Sequence, residues 1–176
     1  MIEYVIQKLT KHEPDDLEAQ CAAVAELADE IWHEHYTPII GAEQVEYMVA
    51  KFQSAEQILM DIKENGFIYF TAREKGKDKL IGYCGVAPQE GCLLISKLYV
   101  HSDFRGNGIS RSFLEKVFTL ARLEYGLEKI RLTVNKYNEN AIAVHQKNGF
   151  EIVESINVDI GGGFFMDDYL MELSLG

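Results

Sequence analysis

The run Lys97-Leu98-Tyr99-Val100-His101-Ser102-Asp103-Phe104-Arg105-Gly106-Asn107-Gly108-Ile109-Ser110 holds the most specific chemistry in the chain. Its first residues suit a buried strand, its middle carries two glycines, and its end opens an amphipathic run, which predicts strand, loop and helix start in that order. Residues without a Cβ let backbone N–H groups close on phosphate oxygens, and a helix start adds partial positive charge. A diphosphate can sit in such a loop with little help, and Arg105, with Arg111 as a second candidate, supplies a cation. Two other phosphate loops fail on the letters. No Lys-Ser or Lys-Thr follows the glycines as GxxxxGK[ST] requires, and Arg111 occupies the third glycine of GxGxxG. An ordinary glycine turn before a helix satisfies the same letters, so the loop alone argues only for a phosphate seat.

The elements that must position this loop can be read from periodicity. Residues 2–9 read as a first strand. Leu17, Cys21, Val24, Ala28, Ile31 and Trp32 recur at helical spacing behind a capping Asp15 or Asp16, and Tyr36-Thr37-Pro38 predicts the end of that helix. A second helical region runs from Val45 to Ile62, interrupted near Gln53-Ser54 and closed by Asn65-Gly66. Residues 67–72 and 80–87 predict an antiparallel hairpin, and Leu93 to Val100 a third strand after the Gly91 turn. Helical spacing continues from Gly108 to Tyr125 and stops at Gly126; Lys129 to Val134 is a strand and Glu139 to Lys147 a short helix. Residues 150–160 and 164–175 close the chain as a strand pair across Gly161-Gly162-Gly163. No repeat or linker interrupts the 176 residues, which fit one domain, 1–176, of α/β (α+β) class.

Composition narrows the function classes. Apolar residues at 47% and charged residues at 26% suit a soluble globular protein. The absence of a long apolar run or a signal-like N-terminus leads to the expectation of a cytoplasmic protein without a membrane partner. Seventeen basic residues against 28 acidic give a net charge of -11, which disfavours nucleic acid. Cys21, Cys84 and Cys92 form no CxxC pair and are odd in number, so neither a disulfide framework nor a zinc knuckle is expected. His33 and His35 in Trp32-His33-Glu34-His35-Tyr36 point to different sides of a helix and lack the HExxH spacing, so no metal site is expected there.

Arg105-Gly106-Asn107-Gly108-Ile109-Ser110 resembles the [RQ]xxGx[GA] acetyl-CoA signature of the GCN5-related N-acetyltransferases. Downstream, Asn138, Ala141, His145, Gly149 and Phe150 fall on that family's NxxAxxxYxxxGF pattern, and the element order is similar over nearly the whole chain. The resemblance implies a mixed, mostly antiparallel sheet of about seven strands flanked by helices and splayed at the cofactor site. It also implies an enzyme that moves an acetyl group from acetyl-CoA, as cosubstrate, to an amine. Two positions depart from the pattern. Ser110 replaces a Gly or Ala, and His145 replaces the usual tyrosine near the cofactor sulfur.

Carried onto this chain, the resemblance gives the cofactor Leu98, Tyr99, Val100, the loop from Arg105 to Ser110, Asn138, Ala141 and His145. Backbone groups of Leu98 and Val100 would pair with the pantetheine amides as an added strand does, while Asn138 binds the pantetheine arm or simply caps its helix. His145, as an imidazolium, would help the thiolate leave; a partly exposed histidine without a task is the plainer alternative. Candidates for the base are Ser96, glutamates of the first two helices, His33, His35 and Tyr36. Trp32, His35 and Tyr36 are expected in the acceptor wall, and Asp168, beside Asp167, at the pocket edge facing a cationic amine. The resemblance also allows a homodimer. Two rivals stay open on the residues: an acyl-CoA sensor or non-catalytic module, for which the missing tyrosine argues, and a nucleotide-binding protein of another fold.

Overall fold

The computed structural model describes residues 1–176 and contains one seven-stranded sheet in the order β1-β2-β3-β4-β5-β7-β6. The strands are β1 (Tyr4–Leu9), β2 (Ile68–Glu74), β3 (Leu80–Gln89), β4 (Cys92–Val100), β5 (Lys129–Asn135), β6 (Glu151–Gly161) and β7 (Phe164–Ser174). The helices are α1 (Leu17–Ile40), α2 (Ala42–Phe52), α3 (Ala55–Glu64), α4 (Ile109–Thr119) and α5 (Glu139–Lys147). Every neighbouring pair is antiparallel except β4 with β5.

Strand alternation, interrupted on β3 by a bulge whose extra residue is Ile81 (Ala72 pairs with Gly82 and Arg73 with Leu80), divides the apolar residues between two cores. On β3, Ile81, Cys84 and Val86 pack with α4, whereas Leu80 and Tyr83 pack with α1, α2 and α3 on the other face. The three cysteines are buried thiols without disulfides.

The sheet opens between β4 and β5. Their parallel pairing covers only Leu93 with Ile130, Leu94 with Arg131 and Ile95 with Leu132. Past that point β4 stays paired to β3 as far as Val100, and β5 stays paired to β7 as far as Asn135 opposite Asp168. The edges that face each other beyond Ile95 and Leu132 are therefore left without a ladder. The parting begins at a register break: Gly85 pairs with Lys97 and Val86 with Ile95, so Ser96 is the extra residue of a β-bulge, a feature that bends its strand. Gly85 is required there, since a Cβ would meet the Tyr69 ring at 2.9 Å.

The first helix departs from expectation. It runs through Pro38 to Ile40 and ends at Gly41, whose N–H donates to the Thr37 carbonyl at 3.0 Å. Proline removes a single hydrogen bond in this last turn, and Ile39 and Ile40 pack against the α1–α3 core, which offsets that loss. The long helix after the loop ends differently too, Leu120–Glu124 forming a single π turn at its tail.

Candidate active site

The strand-to-helix loop is shaped by its own backbone and by ties to α1. Gly106 and Gly108 have φ of 80° and 79°, left-handed values that side chains disfavour, and Gly108 is the N-cap of α4. With no capping side chain, the first N–H groups of α4 remain open to an anion. The Asn107 amide donates to the Phe104 carbonyl at 2.9 Å and its oxygen accepts from the Ile2 N–H at 3.3 Å, so this side chain builds the loop. His101, buried at the loop entry, accepts from the Asp103 N–H at 3.1 Å and lies 2.7 Å from Glu30 of α1. Arg105 donates from Nε to the Val100 carbonyl at 3.3 Å and lines the gap. Arg111, the second cation suggested by the sequence, instead lies toward Glu115 at 3.5 Å and is largely exposed.

A cavity of about 710 Å³ fills the gap between β4 and β5 and continues under α1 and α2. Leu98, Val100, Ser110, Asn138, Ala141 and His145 line it on the loop and α5 side; Trp32, His35, Tyr36, Tyr99 and Asp168 line it as well. Tyr99 belongs to the aromatic wall, with ring centroids 5.7 Å from Trp32 and 6.3 Å from Tyr36, on the face opposite Leu98. Ile109 is buried in the core beneath the loop, which leaves only its backbone for a ligand. The hydroxyl of Ser96 makes no hydrogen bond within the protein, so nothing here activates it as a base.

Burial controls the ionisable groups. Asn138 is buried and its Oδ1 accepts from the Ala141 N–H at 3.5 Å, a helix cap placed inside the cavity wall. Burial pushes His145 down to about 4, with its Nδ1 enclosed and unpartnered beside the Phe150 ring. The ring is therefore neutral near pH 7, which corrects the expected imidazolium. His35 is lowered by burial first and by the Arg105 charge second. Asp168 is raised to about 6 by burial and then by the adjacent Asp167. His33 points away from the cavity, held by the Asp29 carbonyl at 2.7 Å and the Glu46 carboxylate, and drops out as a base.

One cluster escaped the sequence reading. Lys97 is buried on the cavity wall, its ammonium donating to Tyr69 Oη at 2.6 Å and the Phe52 carbonyl at 2.8 Å, with Asp61 at 3.8 Å. Burial lowers Lys97 to about 8. The only visible signal was a lysine interrupting the apolar strand Leu93 to Val100.

Residues 24–150, which include the loop, both gap strands and α5, match the family model described as acetyltransferase (GNAT) family. The chain belongs to that family. As a GNAT member it is an N-acetyltransferase that uses acetyl-CoA as cosubstrate. A thialysine N-epsilon-acetyltransferase of Caenorhabditis elegans is 29% identical over 115 residues, 64% of this chain and 68% of the relative. Among solved structures, the PaiA N-acetyltransferase of Thermoplasma acidophilum in complex with coenzyme A has TM-score 0.77 at 21% identity, covering 98% of this chain and 99% of that one. YncA of Salmonella typhimurium with acetyl-CoA has TM-score 0.61 at 21% identity, with coverage of 98% and 94%. The GNAT fold, with its open β4–β5 edge, accounts for the cavity at the end of the glycine loop.

Proposed function

We propose that this protein acetylates a primary alkyl amine of a small molecule by direct attack of the amine on the acetyl-CoA thioester. The observation that carries the reading is the single cavity that runs from the open N–H groups of α4, through the β4–β5 gap, to a wall of Trp32, Tyr36 and Tyr99. When bound, acetyl-CoA supplies an activated carbonyl and a thiol leaving group. Backbone N–H groups at Ile109 and Ser110, with the Arg105 guanidinium, hold the pyrophosphate. The exposed edge of β4 at Leu98 and Val100 takes the pantetheine amides, with the Val100 carbonyl shared with Arg105 Nε. Asn138 and Ala141 fix the start of α5 against that arm.

His145 acts in this scheme as a neutral donor. Nδ1 is enclosed, so Nε2 is the accessible nitrogen, and an N–H there can hydrogen-bond a sulfur that is gaining charge. The acceptor class rests on the named activity of the nematode relative and on the unpaired carboxylate of Asp168 in the cavity wall, which favours a cation over an anion; Asp61 is already neutralised by Lys97. The test is release of free thiol from acetyl-CoA across thialysine, lysine, alkyl diamines, spermidine and peptides with free N-termini. Turnover confined to small alkyl amines is expected, and turnover confined to peptides would overturn the acceptor assignment.

A further inference from the structure

We infer that Asp168 is the proton acceptor for the incoming amine, an assignment that rests on the acetyl-transfer reading above. The carboxylate sits on β7 opposite Asn135, at the point where β5 has already left β4, and it lines the same cavity as His145, Tyr36 and Tyr99. The residue as a whole is 5% exposed, it makes no hydrogen bond and has no cation within ion-pair distance, and its oxygens are not among the side-chain atoms sealed from solvent, so the unpaired carboxylate opens onto the cavity. A buried carboxylate normally acquires a donor or a counter-ion, because leaving it unpaired is expensive.

The cation that lowers its proton affinity is already committed. Lys136 lies 2.6 Å from the carboxylate of Asp167 and its backbone N–H donates to the Asp167 carbonyl at 3.1 Å. The groups facing Asp168 from the other elements are the phenols of Tyr36 on α1 and Tyr99 on β4, whose own ionisation it opposes. Across the sheet it meets Asn135 of β5 and Ile156 of β6, neither of which titrates. Asp167 raises and Lys136 lowers its proton affinity, but loss of water is the larger effect, and the result is a carboxyl that ionises near pH 6. A base poised there is ionised at neutral pH and still holds a proton well.

The proton balance is closed. The acceptor enters as R–NH3⁺ and gives one proton to the Asp168 carboxylate. The neutral nitrogen then forms the N–C bond to the acyl carbon, the C–S bond breaks with its electron pair on sulfur, and the remaining extra proton on nitrogen passes to that sulfur, giving the amide and a thiol. Asp168 returns to the carboxylate by losing its proton to solvent through the cavity mouth.

The test compares wild type with Asp168→Asn, which keeps the size and removes the base. Three results are expected. First, kcat falls by about 10²- to 10⁴-fold while the acetyl-CoA dissociation constant is unchanged. Second, the acidic limb of the wild-type kcat/KM profile, centred near pH 6, is absent from the variant. Third, independently of turnover, Asp168→Asn melts at higher temperature than wild type above pH 6. That advantage shrinks below pH 4, because a carboxyl raised by folding stabilises the fold when protonated and opposes it when ionised. Unchanged kcat with a raised KM would overturn the assignment and leave Asp168 as an anchor for the cationic substrate. A variant less stable than wild type at every pH would also overturn it, as the mark of a carboxylate with a structural partner. Wild type that binds acetyl-CoA but acetylates no amine would overturn this role together with the acetyl-transfer reading, whereas an active Asp168→Asn overturns the base alone.

Discussion

His145 loses most of its water on folding, its Nδ1 finds no partner and no carboxylate stands beside it, so the ring stays neutral until the pH falls to about 4. Histidine spans neutral pH only when its environment leaves its proton affinity alone, and desolvation does not. Replacing His145 with Phe should lower kcat by about 10²-fold with little change in acetyl-CoA binding, measured by thiol release and calorimetry. His145→Tyr, which restores the family's hydroxyl, should recover much of the loss. Stability gives a second check with a definite sign. The folded-state value lies below the unfolded one, so wild type loses stability as the pH falls from about 6.5 towards 4, by up to about 3 kcal/mol. His145→Phe carries no such titration, and melting curves from pH 7 to 4 should show it losing less stability than wild type.

Turn chemistry fixes the loop, and turn chemistry is written in single letters. Gly106 and Gly108 were legible as loop residues because glycine alone takes φ near 80° without strain, and Asn138 was legible as a cap for similar local reasons. Gly108→Ala should therefore weaken acetyl-CoA binding and cost about 1–2 kcal/mol, a fall in Tm of several degrees. No backbone or core atom lies within 4 Å of the added methyl, only the Tyr4 hydroxyl at 3.9 Å, so the fold should survive; unchanged affinity would remove the loop from the cofactor site. The gap between β4 and β5 was not written in either strand. It depends on a bulge at Ser96, which exists only relative to β3, and on β5 finding its partner in β7, 33 to 45 residues further along the chain. Lys97 was missed for the same reason. Its acceptors, Tyr69 Oη and the Phe52 carbonyl, come from β2 and α2, and no local pattern announces them. Pro38 shows the converse, a strong local stop overridden by the packing of Ile39 and Ile40.

Across the whole molecule, a net charge of -11 acts on the two substrates with opposite sign. Acetyl-CoA is a polyanion, and its approach to the loop meets Arg105 against the field of a chain with 28 acidic residues to 17 basic, since Arg111 is already turned towards Glu115. Short-range contacts with the open N–H groups of α4 must supply the binding, because the long-range field repels the ligand. A cationic amine meets the reverse, attracted from a distance and drawn to a cavity whose wall carries the unpaired Asp168. Raising the ionic strength from about 0.01 M to 0.15 M shortens the screening length from about 30 Å to about 8 Å, which removes the distant field and leaves the contacts intact. The second-order rate for acetyl-CoA binding should then rise with salt, while kcat/KM for a cationic amine should fall. An uncharged amine analogue should follow neither trend. Stopped-flow binding and steady-state rates over that salt range check both signs, and a fall in the acetyl-CoA rate would mean that a local basic funnel around Arg105 outweighs the global charge.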